Sequence, residues 1–508
     1  MNPYLQEQVK NPTKFLNNLC DRECSYWTKR GEKMALKLFK DMSQRVPAYK
    51  KFLKENKINP NKIKTFEDVS RIPTVSKDNY LKKYSLEDLC WDGNFDKSSW
   101  VISSTSGSTG DPFYFPRTKE QDLLYSLTAE LYLITNFSIN KKSTLYIDAF
   151  PMGPWIGGLF TYQAIQHIAD RSKYNLSIIT TSIDKNEILK AIQRFGDMFD
   201  QIILGSYGPF TKDVLEEGSN RGINWKKYDI KFVFSAEAFS ETFRDYVLET
   251  VGKAGAFECT LNHYGTVDLG TMAYETPLAI KIRRLALNNK NFYYKLFGDT
   301  KKLPTLCQYL PEHFYFQKNE KGGLICSSYS GIPLFRYDLK DNGDVISFEE
   351  MKTIFKGNNL DFADIRKDKH IPEHSFWEIP FVFVFERGDL SVSFYAFQVY
   401  PEAIRIVLLS KDMVHRVTGK FTMIVDFDSK MNQKLNIHIE LSEIENSSTE
   451  LIDVLRKRIT ESLIENNSEY RKTYKEKGKL IEPVIVLHKY EDLEHFKPGI
   501  KQKWCKDK

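Results

Sequence analysis

A chain of 508 residues is too long for one ordinary core, so two or more domains are expected. With 41% hydrophobic and 14% aromatic residues it can bury a sizeable core, which excludes a disordered protein. A net charge of +6, from lysines interleaved with acids along the whole length, excludes a strongly basic nucleic-acid footprint. Met34, Leu38, Phe39, Met42 and Val46 fall on one face of a helix that stops before Pro47, and a second helical stretch follows from Tyr49 to Glu55. Cys20 and Cys24 stand one helical turn apart, but no second pair or nearby histidine completes a zinc set. With Cys90, Cys259, Cys307, Cys326 and Cys505 they read as reduced thiols. Met1 to Glu7 form no apolar leader and no apolar run approaches membrane-spanning length, so a soluble, cytoplasmic protein without a membrane span is expected.

From about residue 100 to 350, β-branched or aromatic runs alternate with amphipathic helices. Strands are predicted at 143–147, 176–181, 201–204 and 230–234, with a helix over 186–199. That alternation predicts α/β layers with largely parallel strands. The segment from Glu275 to Phe316, rich in aromatics and bases, either caps a pocket or extends the fold. Near residue 388 the texture changes. Phe421 to Phe427 and Lys434 to Leu441 pair across a polar turn at 428–430, then come a helix over 449–465 and an apolar strand over 484–487. This reads as a small α+β domain. The expected division is 1–388 for a large α/β domain and 389–508 for a small one.

The sharpest local signal is Ser103-Ser104-Thr105-Ser106-Gly107-Ser108-Thr109-Gly110-Asp111-Pro112, directly after the apolar Trp100-Val101-Ile102. Glycines let backbone N–H groups turn toward an anion and the hydroxyls add donors, which suits a triphosphate. The run lacks the Gly-Lys-Ser/Thr ending of a Walker loop and contains no Gly-x-Ser-x-Gly nucleophile elbow. It closely resembles the phosphate loop of the adenylate-forming superfamily, the acyl-CoA synthetases and peptide-synthetase adenylation domains. Val46 to Lys50, Phe66 to Val69 and Ile72 to Lys77 resemble the opening segment of the phenylacetate–CoA ligase branch. The matching order continues to the C-terminus.

The resemblance implies ATP and Mg2+, a small carboxylic acid as substrate, CoA as acyl acceptor, and a C-terminal domain that turns about a hinge. It assigns Ser104 to Gly110 to the phosphates, Thr109 taking a direct part, and Ser235-Ala236-Glu237 to the adenine pocket. In Asn262-His263-Tyr264-Gly265-Thr266-Val267-Asp268, Tyr264 would stack on adenine, Asn262 would bond its edge, Gly265 and Thr266 would line the nucleotide, and Asp268 would hold magnesium. A hard cation between phosphates wants such carboxylate oxygens. Val267 departs from the usual hydroxyl residue, and Asp268 from the usual Glu. Asp341, in Pro333 to Asp341, would accept both ribose hydroxyls, a task that suits a group with no donor of its own. Arg387 would contact the nucleotide and Asp389 would be the pivot, although Glu386 replaces the family's first glycine there. Lys501, with Lys503 as the alternative, would offset charge as pyrophosphate leaves.

Phe150, Trp155, Gly157, Tyr207 and His263 are assigned to the acid pocket, although Phe150 to Phe160 equally fits a packed strand–helix joint. Tyr395-Ala396 stands where CoA ligases place Arg-Gly, and this leaves a carrier-protein thiol or an amine as the alternative acceptor. A nucleotide-binding homologue that has lost catalysis is a third reading. No nucleic-acid partner is expected, and the oligomeric state is open, with a homodimer compatible.

Overall fold

The computed structural model describes the chain except residues 1–2, 105–112, 155, 172, 237, 299–303, 386–390, 396, 409, 411, 414, 444, 491, 493–494 and 497–508. The chain divides into two compact units. One comprises Met1–Ser103 and Tyr114–Phe385, the other Ser104–Phe113 and Glu386–Lys508.

In the larger unit the helix Cys24–Arg45 buries Met34, Leu38, Phe39 and Met42, and the next helix, Pro47–Glu55, begins on Pro47. Proline suits that first position because its missing N–H would have no intrahelical partner. Strands β1 (Val101–Ser104) and β2 (Tyr114–Arg117) form a two-stranded ribbon. Among the described residues, eleven strands then build one sheet. In chain order they are β3 (Thr144–Asp148), β4 (Leu176–Thr180), β5 (Gln201–Ser206), β6 (Ile230–Phe234), β7 (Thr260–Thr266), β8 (Gly270–Tyr274), β9 (Thr305–Gln308), β10 (Phe314–Lys318), β11 (Gly323–Ser328), β12 (Leu334–Ile346) and β13 (Phe381–Val384). Across the sheet the order is β10-β11-β12-β13-β9-β8-β7-β6-β5-β3-β4.

Strands β3 to β7 pair in parallel, joined by the helices Ile156–Ala169, Lys185–Phe195, Gly208–Asn220 and Glu241–Thr250. The expectation of largely parallel strands holds only for this half. From β7 onward every pairing is antiparallel. The cause is local: the turn at 267–269 returns the chain beside β7 without a crossover helix, which a parallel partner would need. The Glu275 to Phe316 segment extends the fold. Its helices Pro277–Leu287 and Lys290–Phe297 bury Leu278, Ile282, Phe292 and Leu296 in a cluster with Phe348, Phe355 and Phe381.

The smaller unit contains the hairpin β14 (Val392–Phe394) and β15 (Phe397–Val399), the helix Pro401–Leu408, and a sheet of β16 (Val417–Phe427), β17 (Gln433–Leu441) and β18 (Val484–His488). β16 and β17 are antiparallel and β17 and β18 parallel, the latter pair connected through the helices Thr449–Asn466 and Ser468–Lys477. Alternation along β17 puts Leu435, Ile437 and Ile439 inside, against Leu451, Leu455 and Ile459 of the first of these helices. No described helix is long and apolar enough to cross a membrane.

Candidate active site at the carboxyl ends of the parallel strands

Parallel strands end on one edge, and in open α/β sheets ligands bind there, where successive connections leave in opposite directions. Here that point lies between β3 and β5. The chain leaves β3 outward to β4 and leaves β5 the other way to β6. Phe150, just after β3, and Tyr207, just after β5, bring their rings within 6.3 Å across it. Gly157 packs against Phe150, with space for a Cβ at 3.5 Å from the Phe150 Cβ. Three of the residues assigned to the acid pocket are thus neighbours. Trp155 lies outside the described residues.

The next two strand ends carry the nucleotide assignments. β6 ends at Phe234. Ser235 is then half-buried, and Ala236 stands exposed at φ 77, in the left-handed region that costs a non-glycine residue energy. Asn262, buried on β7, pairs with Phe234 in the ladder. The Tyr264 hydroxyl donates to Asp341 Oδ2 at 2.8 Å, which joins β7 to the long strand β12 although the sequence separates them by 77 positions. The ring of Tyr264 lies 6.0 Å from that of Phe316. Gly265 is required by close approach, since a Cβ there would come 2.7 Å from the Gly270 carbonyl oxygen. Thr266 Oγ1 accepts from the Leu269 N–H at 3.3 Å, so its hydroxyl serves the turn.

Asp268, in that turn, is buried and receives the Tyr337 hydroxyl of β12 on Oδ2. Its other oxygen faces Lys77 Nζ at 3.7 Å. Lys77 arrives because the segment at Val75 lies parallel to β12, with Val75 N–H donating to the Arg336 carbonyl at 3.1 Å and Asp338 N–H to the Val75 carbonyl at 2.9 Å. Sequence reasoning named Asp268 and Asp341 but gave Tyr337 and Lys77 no role. Both stand inside quoted motifs, and only long-range pairing shows what they touch.

Arg117 was also missed. It is buried at the base of the β1–β2 ribbon, with Nε on Asp122 Oδ1, Nη1 on the Ser103 hydroxyl and Nη2 on Gln163 Oε1, each at 2.7 Å. Its guanidinium also lies 4.6 Å from the Phe160 ring centre. One planar fork therefore fixes the ribbon to two helices. Of the phosphate-loop assignments, Ser104 ends β1 and is buried. Thr105, Ser106, Gly107, Ser108, Thr109 and Gly110 lie outside the described residues, as do Glu237, Arg387, Asp389, Ala396, Lys501 and Lys503.

His263 faces away from Tyr264, toward Tyr125 and Tyr132, whose rings stand 5.8 and 5.3 Å from its own. Burial holds the imidazole down to about 3, so it is neutral. Nearby, Asp148 at the end of β3 accepts the Phe150 N–H at 3.2 Å, and burial pushes its carboxyl well above the usual carboxylate range. Among the described residues, Asp148 Oδ2, His263 Nε2 and the hydroxyls of Tyr146 and Tyr274 are buried without a hydrogen-bond partner. A cavity of about 180 Å3 lined by Arg45, Trp91, Thr118, Glu120 and His313 shares no residue with these sites.

No family model and no curated protein sequence matches the chain. Solved structures do. A 2-hydroxyisobutyryl-CoA ligase in complex with 2-HIB-AMP and CoA, in its thioesterification state, superposes with a TM-score of 0.62 over 97% of this chain and 91% of that one, at 12% identity. The same ligase in its postadenylation state gives 0.53 with R3-HIB-AMP and 0.51 with 2-HIB-AMP, each over 97% of this chain and 92% of the ligase, again at 12% identity. The chain shares the fold of that 2-hydroxyisobutyryl-CoA ligase. The ligase fold agrees with the resemblance read from the motifs. At this identity it speaks for the arrangement of elements alone.

Tyr395 stands in an unusual backbone position. The strands β14 and β15 are joined by the two residues 395–396, with Phe394 paired to Phe397. Tyr395 takes φ 46 there, a position that glycine, asparagine or aspartate usually fills in two-residue hairpins. Its ring is buried in the core of the smaller unit, with Lys477 Nζ 4.8 Å from its centre. Packing of a large ring offsets the backbone cost of about 1–3 kcal/mol.

Proposed function

We propose that this protein uses ATP to activate a small carboxylic acid as an acyl-adenylate and passes the acyl group to the thiol of CoA, in the manner of the phenylacetate–CoA ligase branch. The observation that carries the reading is the pair of tyrosine-held carboxylates beside the strand ends, Asp341 under Tyr264 and Asp268 under Tyr337. Each phenol orients its carboxylate beside a strand end. Asp341 suits the two ribose hydroxyls, which are donors, and Asp268 suits a hard cation.

The residues present fit magnesium. Asp268 Oδ1 is 3.7 Å from Lys77, longer than a hydrogen bond, so lone pairs remain on it, and Lys77 is a second positive charge for the same phosphates. Magnesium, when bound, would neutralise phosphate charge. Ser104, the hydroxyl run that follows it and the turn at Ala236 would hold ATP, while Phe150, Gly157 and Tyr207 would seat the acid. The acid's carboxylate oxygen attacks the α-phosphorus, the P–O bond to the leaving pyrophosphate breaks, and Lys501 meets the charge that develops. The work is positional and electrostatic, with no covalent enzyme intermediate.

The test is acid-dependent pyrophosphate release across aryl, hydroxy and fatty acids, with hydroxylamine as a surrogate acceptor. Release with one class supports adenylation. Lys501→Ala should lower the rate by about 100-fold or more while ATP binding persists; turnover unchanged in that variant would remove Lys501 from the mechanism. The second reading, transfer to a carrier-protein thiol or an amine, is favoured by Tyr395-Ala396 in place of Arg-Gly. Product mass with CoA, an amine or a carrier protein as sole acceptor separates the two.

A further inference from the structure

The smaller unit holds a group of side chains that adenylation does not use. His438 lies on the central strand β17, His488 is the last residue of β18, and His495 follows seven residues later. The parallel register, Glu440 beside His488, sets the first two imidazoles next to each other. His438 Nδ1 lies 2.8 Å from His488 Nε2, and one ring nitrogen from each of the three lies within 4.8 Å of the other two. Ring centres are 5.0 Å apart for His438 and His488, 4.9 Å for His438 and His495, and 4.1 Å for His488 and His495. All three are half-buried.

A carboxylate organises the group. Asp492 Oδ1 accepts the His495 backbone N–H at 2.9 Å and stands 3.2 Å from His495 Nδ1, while Asp492 Oδ2 is 3.9 Å from His488 Nδ1. The Asp492 carbonyl accepts the Phe496 N–H at 2.7 Å, so the turn that carries His495 is itself fixed. One acid therefore faces the Nδ1 side of two imidazoles and directs their Nε2 atoms elsewhere. Metal-binding histidines are oriented in this way, because a carboxylate on the far nitrogen sets the tautomer and raises the basicity of the near one.

We infer that His438 through Nδ1 and His488 and His495 through Nε2 form a binding site for one divalent zinc ion, with Asp492 as the orienting carboxylate. The donor set is three neutral imidazoles and no thiolate, which suits zinc and its neighbours rather than magnesium or calcium. Two nitrogens on a tetrahedral zinc are about 3.3 Å apart, given Zn–N of about 2.0–2.1 Å. The 2.8 Å contact between His438 and His488 must therefore open slightly as their near-parallel rings, 25° apart, rotate to aim their lone pairs at one point. Bound there, zinc would tie β17, the end of β18 and the chain at His495 together. The site stands independently of the adenylation reading.

The experiment uses the full chain purified without a polyhistidine tag, stripped with chelator and dialysed against zinc. Elemental analysis should find about one zinc per chain. His438→Gln with His488→Gln should abolish it, and Asp492→Asn should weaken affinity by about 10–100-fold. Cobalt in place of zinc should give tetrahedral visible bands without a thiolate charge-transfer band, and this readout decides the matter on the unmodified chain if the double variant does not fold. Much less than one zinc per chain, zinc retained by the folded double variant, or a thiolate band would each overturn the proposal.

Discussion

Arg244 and Asp148 are both completely buried, yet the side chains around them are completed in opposite ways. Arg244, between β6 and β7, gives Nε to Glu241 at 2.9 Å and Nη2 to Glu275 at 2.8 Å, and Arg283 meets Glu275 again at 3.0 Å and the Phe239 carbonyl. Each charge faces an opposite one. Around Asp148 the polar atoms outnumber their partners, and a lone carboxyl and a lone imidazole are kept from ionising by burial. Desolvation is the same cost in both places. Where it is offset by pairing, the group holds the Phe239 carbonyl beyond β6. Where it is not, the structure tolerates a deficit that a ligand could relieve, and deficits of that kind gather at functional sites.

The largest expected effect lies on the paired side. Arg244→Met should cost about 3–5 kcal/mol in urea denaturation, because it removes the fully buried cation between Glu241 and Glu275 and leaves those acids only Arg284 and Arg283. A loss below about 1 kcal/mol would mean the cluster is not the brace described. On the deficient side the sign reverses. Asp148→Asn should raise stability at neutral pH by about 1–3 kcal/mol and slow acid-dependent pyrophosphate release, since it removes an ionisable group held against ionisation. Destabilisation instead would show Asp148 to be satisfied in the folded state.

His263 supplies a pH test. Its folded value, about 3, lies below the ordinary 6.5, so between those values the unfolded chain binds more protons. Stability is therefore lost as pH falls from about 6.5 toward 3, by about 1.4 kcal/mol per unit for each such histidine. His313, buried and lowered to about 3 as well, adds to the slope. Denaturation at two pH values should show His263→Phe with the slope reduced by about one proton; an unchanged slope would place His263 outside the deficit. The smallest effect belongs to Tyr264→Phe. It removes one hydrogen bond to Asp341, about 0.5–1.5 kcal/mol, and should weaken ATP binding by up to about tenfold in calorimetry with little change in Tm.

Local pattern made much of this legible. The helix ending before Pro47, the strand at 230–234 and the strand pair of the smaller unit follow from periodicity and turn chemistry, and lie within a few residues of expectation. Ordered motifs singled out Asp268, Asp341 and Tyr264, and the fold brings Tyr264 to Asp341. What stayed hidden depends on distant contacts. Lys77 meets Asp268 across 191 positions, β8 to β13 turn antiparallel because of one short turn, and His438 meets His488 through sheet register, with His495 brought to them beyond β18.

β7 carries a consequence for how this protein can evolve. It is the seam of the sheet, parallel to β6 on one side and antiparallel to β8 on the other, with a bulge opposite Tyr264 and Gly265. Asn262 and Tyr264 point to one face and His263 to the other, because strand side chains alternate. Inserting one residue before Asn262 would exchange the two faces, sending the tyrosine among the buried phenols and the histidine toward Asp341. Lineages of this chain should therefore change length readily in surface loops and by single residues in β7 almost never, so that the strand acts as a fixed ruler against which the rest of the sequence has drifted.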